Sequence, residues 1–178
     1  MITGYATPEG TKKFAERQNQ DSHKNYKNVH NLTLSNVGIG TYLGNPDTET
    51  DYIVQNAVKK SILGGINVID SAINYRAQKA ERSVGNAISQ LIDNNDISRE
   101  EIFVSTKNGY VTNDGDIKEE LMQYVMREYG KTGIVKEGDI SPGYHCMTLP
   151  YLSDQLERSL KNLGLDCIDL MYLHNSVE

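Results

Sequence analysis

Gly64-Gly65-Ile66-Asn67-Val68-Ile69-Asp70 is the stretch that decides the fold. Two glycines close a helical segment, a short apolar run follows, and the run stops on a carboxylate. Upstream, Ile53, Val54, Ala57, Val58, Ile62 and Leu63 recur with a period of about 3.6, the signature of one helix face. Pro46-Asp47-Thr48-Glu49 supplies that helix with a capping residue and an acidic first turn. The unit then repeats. Val84, Ala87, Ile88, Leu91 and Ile92 form a second stripe, and Ile102-Phe103-Val104-Ser105-Thr106 a second strand that ends at Lys107. Pro150 opens a third helix, with Leu152, Leu156, Leu160 and Leu163 expected inward and Gly164 as its stop. Ile168 to Leu173 is the last strand and ends at His174, while Asn36 to Thr41 reads as a short strand ahead of the first helix. Short apolar strands alternating with amphipathic helices predict an α/β fold with a parallel sheet, either doubly wound or a barrel.

The chain has 178 residues, room for one domain. Its 18 basic and 24 acidic residues give a net charge of −6 with no basic cluster, so nucleic acid is not an expected partner. No apolar run approaches the ~20 residues of a membrane span, and the first residues lack the apolar core of a signal peptide. Cys146 and Cys167 form neither a CxxC nor a zinc pattern, and His145-Cys146 lacks further ligands, so no metal is expected and the thiols are read as reduced, in the cytoplasm. Residues 1–28 are polar and without a period. They are expected to form a flexible arm, with His23 and His30 outside any chemistry, leaving 29–178 as the folded domain.

Parallel α/β sheets place chemistry at the carboxyl ends of their strands. Three successive strands end here at Asp70, Lys107 and His174, and Tyr75 lies in the loop beyond Asp70. Any one of them fits an ordinary solvated loop residue; together they form a coherent set. A tyrosine hydroxyl, with an unperturbed pKa of ~10, is a poor acid unless its phenolate is stabilised. A nearby lysine ammonium does this by Coulomb attraction, an aspartate holds the lysine, and a neutral histidine orients a carbonyl oxygen. The set suits donation of a proton to a carbonyl oxygen while a hydride reaches its carbon.

These residues carry a resemblance. Asp70-Ser71-Ala72-Ile73-Asn74-Tyr75 with Glu81-Arg82-Ser83-Val84-Gly85 resembles the D-[TS]-A-x-x-Y…[SE]-x-x-[VL]-G signature of the aldo-keto reductases. Gly38-Ile39-Gly40-Thr41, Ser105-Thr106-Lys107 and the segment Leu165 to His174 resemble that family's first, third and fourth strands. The resemblance implies a (β/α)8 TIM barrel and a catalytic tetrad of Asp70, Tyr75, Lys107 and His174. It implies NADPH as hydride donor, with NADH as the alternative, and a small-molecule carbonyl substrate. Gly40, Thr41, Tyr42 and the Asp70 carboxylate are then expected near the nicotinamide. Gly38 to Gly44 misses the Rossmann fingerprint by one place.

Two features depart from the family pattern. Arg76 stands where a glycine usually follows the tyrosine, and an insertion occupies about 108–150. The insertion is expected to face the active site as a substrate-determining lid, with a decorative surface insertion as the alternative, and tyrosines 124, 129, 144 and 151, in and after it, are expected to serve mainly in packing. A complete barrel takes ~250 residues, so about the first four strands are expected here, with open outer edges and most of the cofactor grip missing. The chain is read as a fragment that needs the C-terminal half of the barrel or self-association. The competing readings are a non-catalytic regulatory or scaffold subunit, and a barrel enzyme in which Lys107 forms a Schiff base.

Overall fold

Thr7 and Pro8 start the first helix, α1 (Pro8–Arg17). The Thr7 hydroxyl accepts the Gly10 amide at 3.0 Å, and proline brings a preset φ to the first turn. The coordinates, a computed structural model, describe residues 1–18 and 24–176. An antiparallel hairpin follows α1, made of β1 (Tyr26–Val29) and β2 (Leu32–Ser35) and turned by His30 and Asn31 at positive φ. Then comes the alternation expected from the sequence: β3 (Ile39–Gly40), α2 (Thr48–Leu63), β4 (Val68–Asp70), α3 (Lys79–Asp93), β5 (Phe103–Asn108), α4 (Leu121–Val125), α5 (Leu149–Leu163) and β6 (Leu170–Leu173). Asp47 caps α2 by accepting the Thr50 amide at 2.7 Å, and Gly64 ends it, as the sequence predicts.

The four strands β3-β4-β5-β6 form one parallel sheet in chain order. Their register pairs Gly40 with Asp70, Asp70 with Ser105, and Lys107 with Tyr172. Alternation then sorts the side chains. Ile39, Ile69 and Val104 face the helices and join one core with Val58 and Ile62 of α2, Val84, Ile88 and Leu91 of α3, and Leu163 of α5. Asp70, Ser105 and Lys107 lie on the opposite face. Gly85 lets α3 and α5 meet: a Cβ there would sit 2.6 Å from the Leu163 carbonyl oxygen.

Residues 1–28, expected as a flexible arm, are built into the fold wherever they are described; 19–23, with His23, lie outside the described residues. Thr11, Phe14 and Ala15 of α1 are buried. Arg17 forks onto Glu101 at 2.8 and 2.9 Å. Ile2 bridges to Leu165, and the Gly4 and Ala6 amides donate to Asp166 and Asp169. The segment is polar because side chains and backbone amides hold it, and a hydrophobic period does not register such ties. The boundary at 28/29 falls inside β1. The hairpin covers the amino end of the sheet, where Ser35 and Asn67 exchange hydrogen bonds of 2.8 and 3.2 Å.

The buried stripe of α5 is Tyr151, Gln155, Ser159 and Leu163, rather than four leucines. Leu156 and Leu149 are exposed, as are Tyr172 and Leu173 of β6. The helix packs its buried stripe against α3 and the insertion, and no further strand is paired beyond β6 among the described residues. At the opposite edge, Val37, Tyr42, Leu43 and Ile53 are exposed near β3. No helix among the described residues is long and apolar enough to cross a membrane.

Asp169 is the hub of the lower half. One carboxylate oxygen accepts the Ala6 amide at 2.7 Å; the other accepts the Val104 amide and the Arg99 guanidinium, both at 2.7 Å. Both charged side chains are almost fully buried. Removing one member of such a pair strands the other, at a cost of about 3–5 kcal/mol. Asp169→Ala is therefore expected to lower unfolding stability by about that amount in urea titrations, and a loss below about 1 kcal/mol would show the hub to be dispensable.

Candidate active site

The sheet register brings an ammonium to a carboxylate. Lys107 lies two residues beyond Ser105 on β5, and Ser105 pairs with Asp70. Lys107 Nζ donates to Asp70 Oδ2 at 2.6 Å and to the Ser71 carbonyl at 2.7 Å, while Ser105 Oγ donates to Asp70 Oδ1 at 3.0 Å. The ammonium is mostly buried and the carboxylate partly so, which strengthens their attraction over that of a surface pair. Beyond β4 the chain stays bonded to β5: the Ser71 amide donates to the Ser105 carbonyl at 3.0 Å and the Ile73 amide to the Lys107 carbonyl at 3.1 Å. This pairing delivers Tyr75, whose ring centre lies 4.8 Å from Lys107 Nζ.

His174 arrives from β6. Its amide donates to the Asn108 carbonyl at 2.8 Å, and its ring meets the Tyr75 ring edge-on at 5.6 Å. Nδ1 lies 3.0 Å from the Asn74 amide oxygen. Tyr42 completes the cluster, its ring 5.0 Å from that of Tyr75. Asp70, Tyr75, Lys107 and His174 are thus brought together.

Gly40 ends β3 beside Asp70, and nothing lies within 4 Å of where its Cβ would be. The bare backbone leaves room for a flat ring to approach. Thr41 is buried and donates to Ser71 Oγ at 2.9 Å, tying its loop to the end of β4, and Tyr42 stands exposed above it. An apolar groove of about 450 Å³ runs alongside, lined by Gly40, Tyr42, Leu43 and Ile53 among others.

Sequence reasoning missed Asn74, Ser105 and Ser71, which hold His174, Asp70 and Lys107. Ser105 was findable, since it lies two residues before Lys107 and so on the same strand face. It also missed Tyr110, whose ring lies 5.7 Å from His174 and 4.6 Å from His145. These contacts place both ends of the insertion beside the site. Tyr110 bridges to His145, the Val111 amide donates to the Tyr144 carbonyl, and the Cys146 amide to the Gly109 carbonyl, each at 2.8 Å. The insertion forms a second core of Val111, Tyr124, Val125, Tyr129, Val135 and Cys146, closed by Tyr151 of α5. Three of the four tyrosines named from the sequence pack there, whereas Tyr144 is exposed.

The turn after Tyr75 is strained. Arg76, Ala77 and Gln78 have φ of 51°, 52° and 73°, and each such non-glycine residue costs about 1–2 kcal/mol. Ion pairs surround it. Lys79 Nζ reaches Asp51 at 2.8 Å and Asp116 of the insertion at 2.5 Å, and Arg82 forks onto Asp114 at 2.7 and 2.8 Å.

A family model described as the aldo/keto reductase family matches residues 36–178. The chain is 31% identical over 144 residues to aldo-keto reductase AKR2E4 of Bombyx mori, covering 80% of this chain and 34% of that protein. It is 28% identical over 148 residues to the NADH-specific methylglyoxal reductase of Escherichia coli (strain K12), covering 80% and 39%. Among solved structures it is similar to an aldo/keto reductase of Klebsiella pneumoniae in complex with NADP and acetate, with a TM-score of 0.50, 20% identity, and 81% and 36% of the two chains covered. It is also similar to the holo form of aldo-keto reductase AKR11C1 of Bacillus halodurans, with a TM-score of 0.52, 23% identity, and 83% and 39% covered. The likeness to these TIM-barrel structures shows the fold, and the four parallel strands are part of such a barrel. The chain spans between a third and two-fifths of the length of these relatives.

The ties that hold the insertion depend on pH. Burial alone would raise the Asp114 carboxyl, but hydrogen bonds and charge from Arg82 outweigh it and hold it below the ordinary carboxylate range. The hydrogen bond from Lys79 lowers Asp116. A depressed folded value stabilises the folded insertion above the unfolded carboxylate pKa of ~3.9, and that stability is lost as pH falls through the lowered values. Amide protection at Gly115 and Ile117 is therefore expected to drop below about pH 4, ahead of that in β4 and β5. A uniform fall across both regions in hydrogen-exchange measurements would contradict this.

Proposed function

Because the chain belongs to the aldo/keto reductase family, as the match over residues 36–178 shows, we propose that it carries the proton-donating half of an NAD(P)H-dependent oxidoreductase. In this reading the enzyme reduces an aldehyde or ketone to an alcohol, with Tyr75 as general acid. The observation that carries it is the Lys107 ammonium, held between Asp70 and Ser71 and lying 4.8 Å from the Tyr75 ring centre.

As Tyr75 gives its proton to the carbonyl oxygen, negative charge develops on the phenolate, and the Lys107 ammonium, 4.8 Å from the ring centre, attracts it. Asp70 and the Ser71 carbonyl hold the ammonium beside the ring. Pairing with the Asp70 carboxylate favours the charged ammonium, whereas a Schiff-base nucleophile needs a neutral amine. His174 orients the carbonyl oxygen through Nε2–H. In a neutral ring Nδ1 must then accept, which requires the Asn74 amide to be flipped so that its NH2 takes the place of the oxygen set 3.0 Å from Nδ1. Bound at Gly40, Thr41, Tyr42 and Asp70, the reduced nicotinamide would supply the hydride to the carbonyl carbon. NADPH is the proposed cofactor, with NADH the alternative; the relatives named above include one specific for NADH and one bound to NADP. The open edges at β3 and β6 call for further strands, from a C-terminal half of the barrel or from a second copy of this chain. Two free cysteines, Cys146 and Cys167, accord with a cytoplasmic setting.

The test is oxidation of NADPH and NADH, by the chain completed with a C-terminal half of the barrel, with a panel of small aldehydes and ketones, methylglyoxal among them, alongside calorimetric cofactor binding. Tyr75→Phe is expected to lose about 10²-fold or more in turnover while keeping its fold and its cofactor binding. Turnover within a few-fold of the unsubstituted chain would remove Tyr75 from the role of acid. Failure of the chain to bind either cofactor once a C-terminal half of the barrel is supplied would overturn the reductase reading.

A further inference from the structure

We propose that Arg76 is the positioning residue of Tyr75: one buried guanidinium ties the turn behind the tyrosine to the cofactor-side loop and to two helices. The proposal rests on the reading of Tyr75 as the general acid. Arg76 follows Tyr75 directly and heads the three residues in the left-handed region, at a φ of 51°. Its side chain is only 1% exposed. Nε donates to the Asn45 carbonyl at 3.0 Å, in the loop after β3. Nη2 pairs with Asp51 in the first turn of α2, and Nη1 lies 3.5 Å from Ser83 Oγ on α3.

A buried cation keeps its energy low only while these partners stay in place. The partners therefore dictate where the Arg76 backbone can sit, and that backbone is one residue from the Tyr75 Cα. Without the tie, the turn could relax out of the left-handed region. Asp51 also takes the Lys79 ammonium at 2.8 Å, so cations on both sides of the strained turn close on one carboxylate. This staple keeps the turn from unwinding. The Asn45 contact acts on the other wall of the site: Asn45 lies three residues beyond Tyr42, whose ring meets that of Tyr75 at 5.0 Å. Arg76 thus fixes the tyrosine and the loop proposed to meet the nicotinamide relative to each other.

The readout is nuclear magnetic resonance of the ring signals of the full chain with labelled tyrosine, Tyr75 being assigned from Tyr75→Phe. No cofactor is needed, so failure here is distinct from failure of the reductase reading. The unsubstituted chain should show a Tyr42–Tyr75 ring cross-peak. Arg76→Gly and Arg76→Gln should each lose it and broaden or shift the Tyr75 signal, leaving Tyr129 and Tyr151 in the insertion core unmoved. Arg76→Lys, which keeps the charge opposite Asp51, should restore part of the cross-peak. If the Arg76 variants do not fold, Asp51→Asn, which removes the partner and leaves the arginine, should give the same selective change. An unaltered Tyr75 signal in folded Arg76→Gly and Arg76→Gln would overturn the proposal. So would an equal disturbance of every tyrosine ring in Asp51→Asn, since a purely structural role gives that result.

Discussion

Parallel strands pair in a fixed register, and in this protein the register decides which face each ionisable side chain reaches. Ser105 sits opposite Asp70, so Lys107, two residues on, points to the same face and its ammonium arrives at the Asp70 carboxylate. Thr106, between them, points the other way and donates to Glu81 of α3 at 2.7 Å. A slip of one residue would exchange the two faces, sending the lysine among the helices and the threonine into the site. The chemistry and the core are therefore specified by the same hydrogen-bond ladder.

The helix side of that ladder is not simply oily. Glu81 is fully buried; burial pushes its carboxyl up, against the hydrogen bonds from Asn162 and Thr106. Arg99 and Asp169 meet below the sheet, and Arg76 and Asp51 beside it. Buried polar groups that are satisfied by one set of partners penalise every other arrangement of the same elements. That suits a site whose tolerances are set by three short strands and the turn after β4.

Much of this was legible in the residues. The glycines at 64 and 65, the capping Asp47 and the apolar runs before Asp70 and Lys107 each mark a boundary through local chemistry, and the boundaries alone place the four site residues at one edge. The likeness to a known family then ordered them into a tetrad. What escaped was held by other forces. The amino-terminal helix has few apolar anchors, and its neighbouring segment is fastened by backbone amides to Asp166 and Asp169, which no period along the chain can announce. The buried face of α5 was misread because leucine outweighs glutamine and serine in a hydrophobic pattern, while Gln155 and Ser159 face the insertion and α3. Asn74 and Tyr110 acquire their roles only once distant strands are side by side.

The paired neck of the insertion, where residues 109–111 run beside 144–146, has a consequence for how such a protein can change. The chain leaves the strand end and returns to it at nearly the same place, with a core that it shares with Tyr151 of α5 and a charged clasp to α3 in between. Material added at the turns away from the core around Tyr129 and Tyr151 need not alter the path of β5, and lengthening a closed loop costs little entropy. The rim beside the tetrad is in this sense a module on a separate mount, open to change while Asp70, Tyr75, Lys107 and His174 beneath it stay where they are.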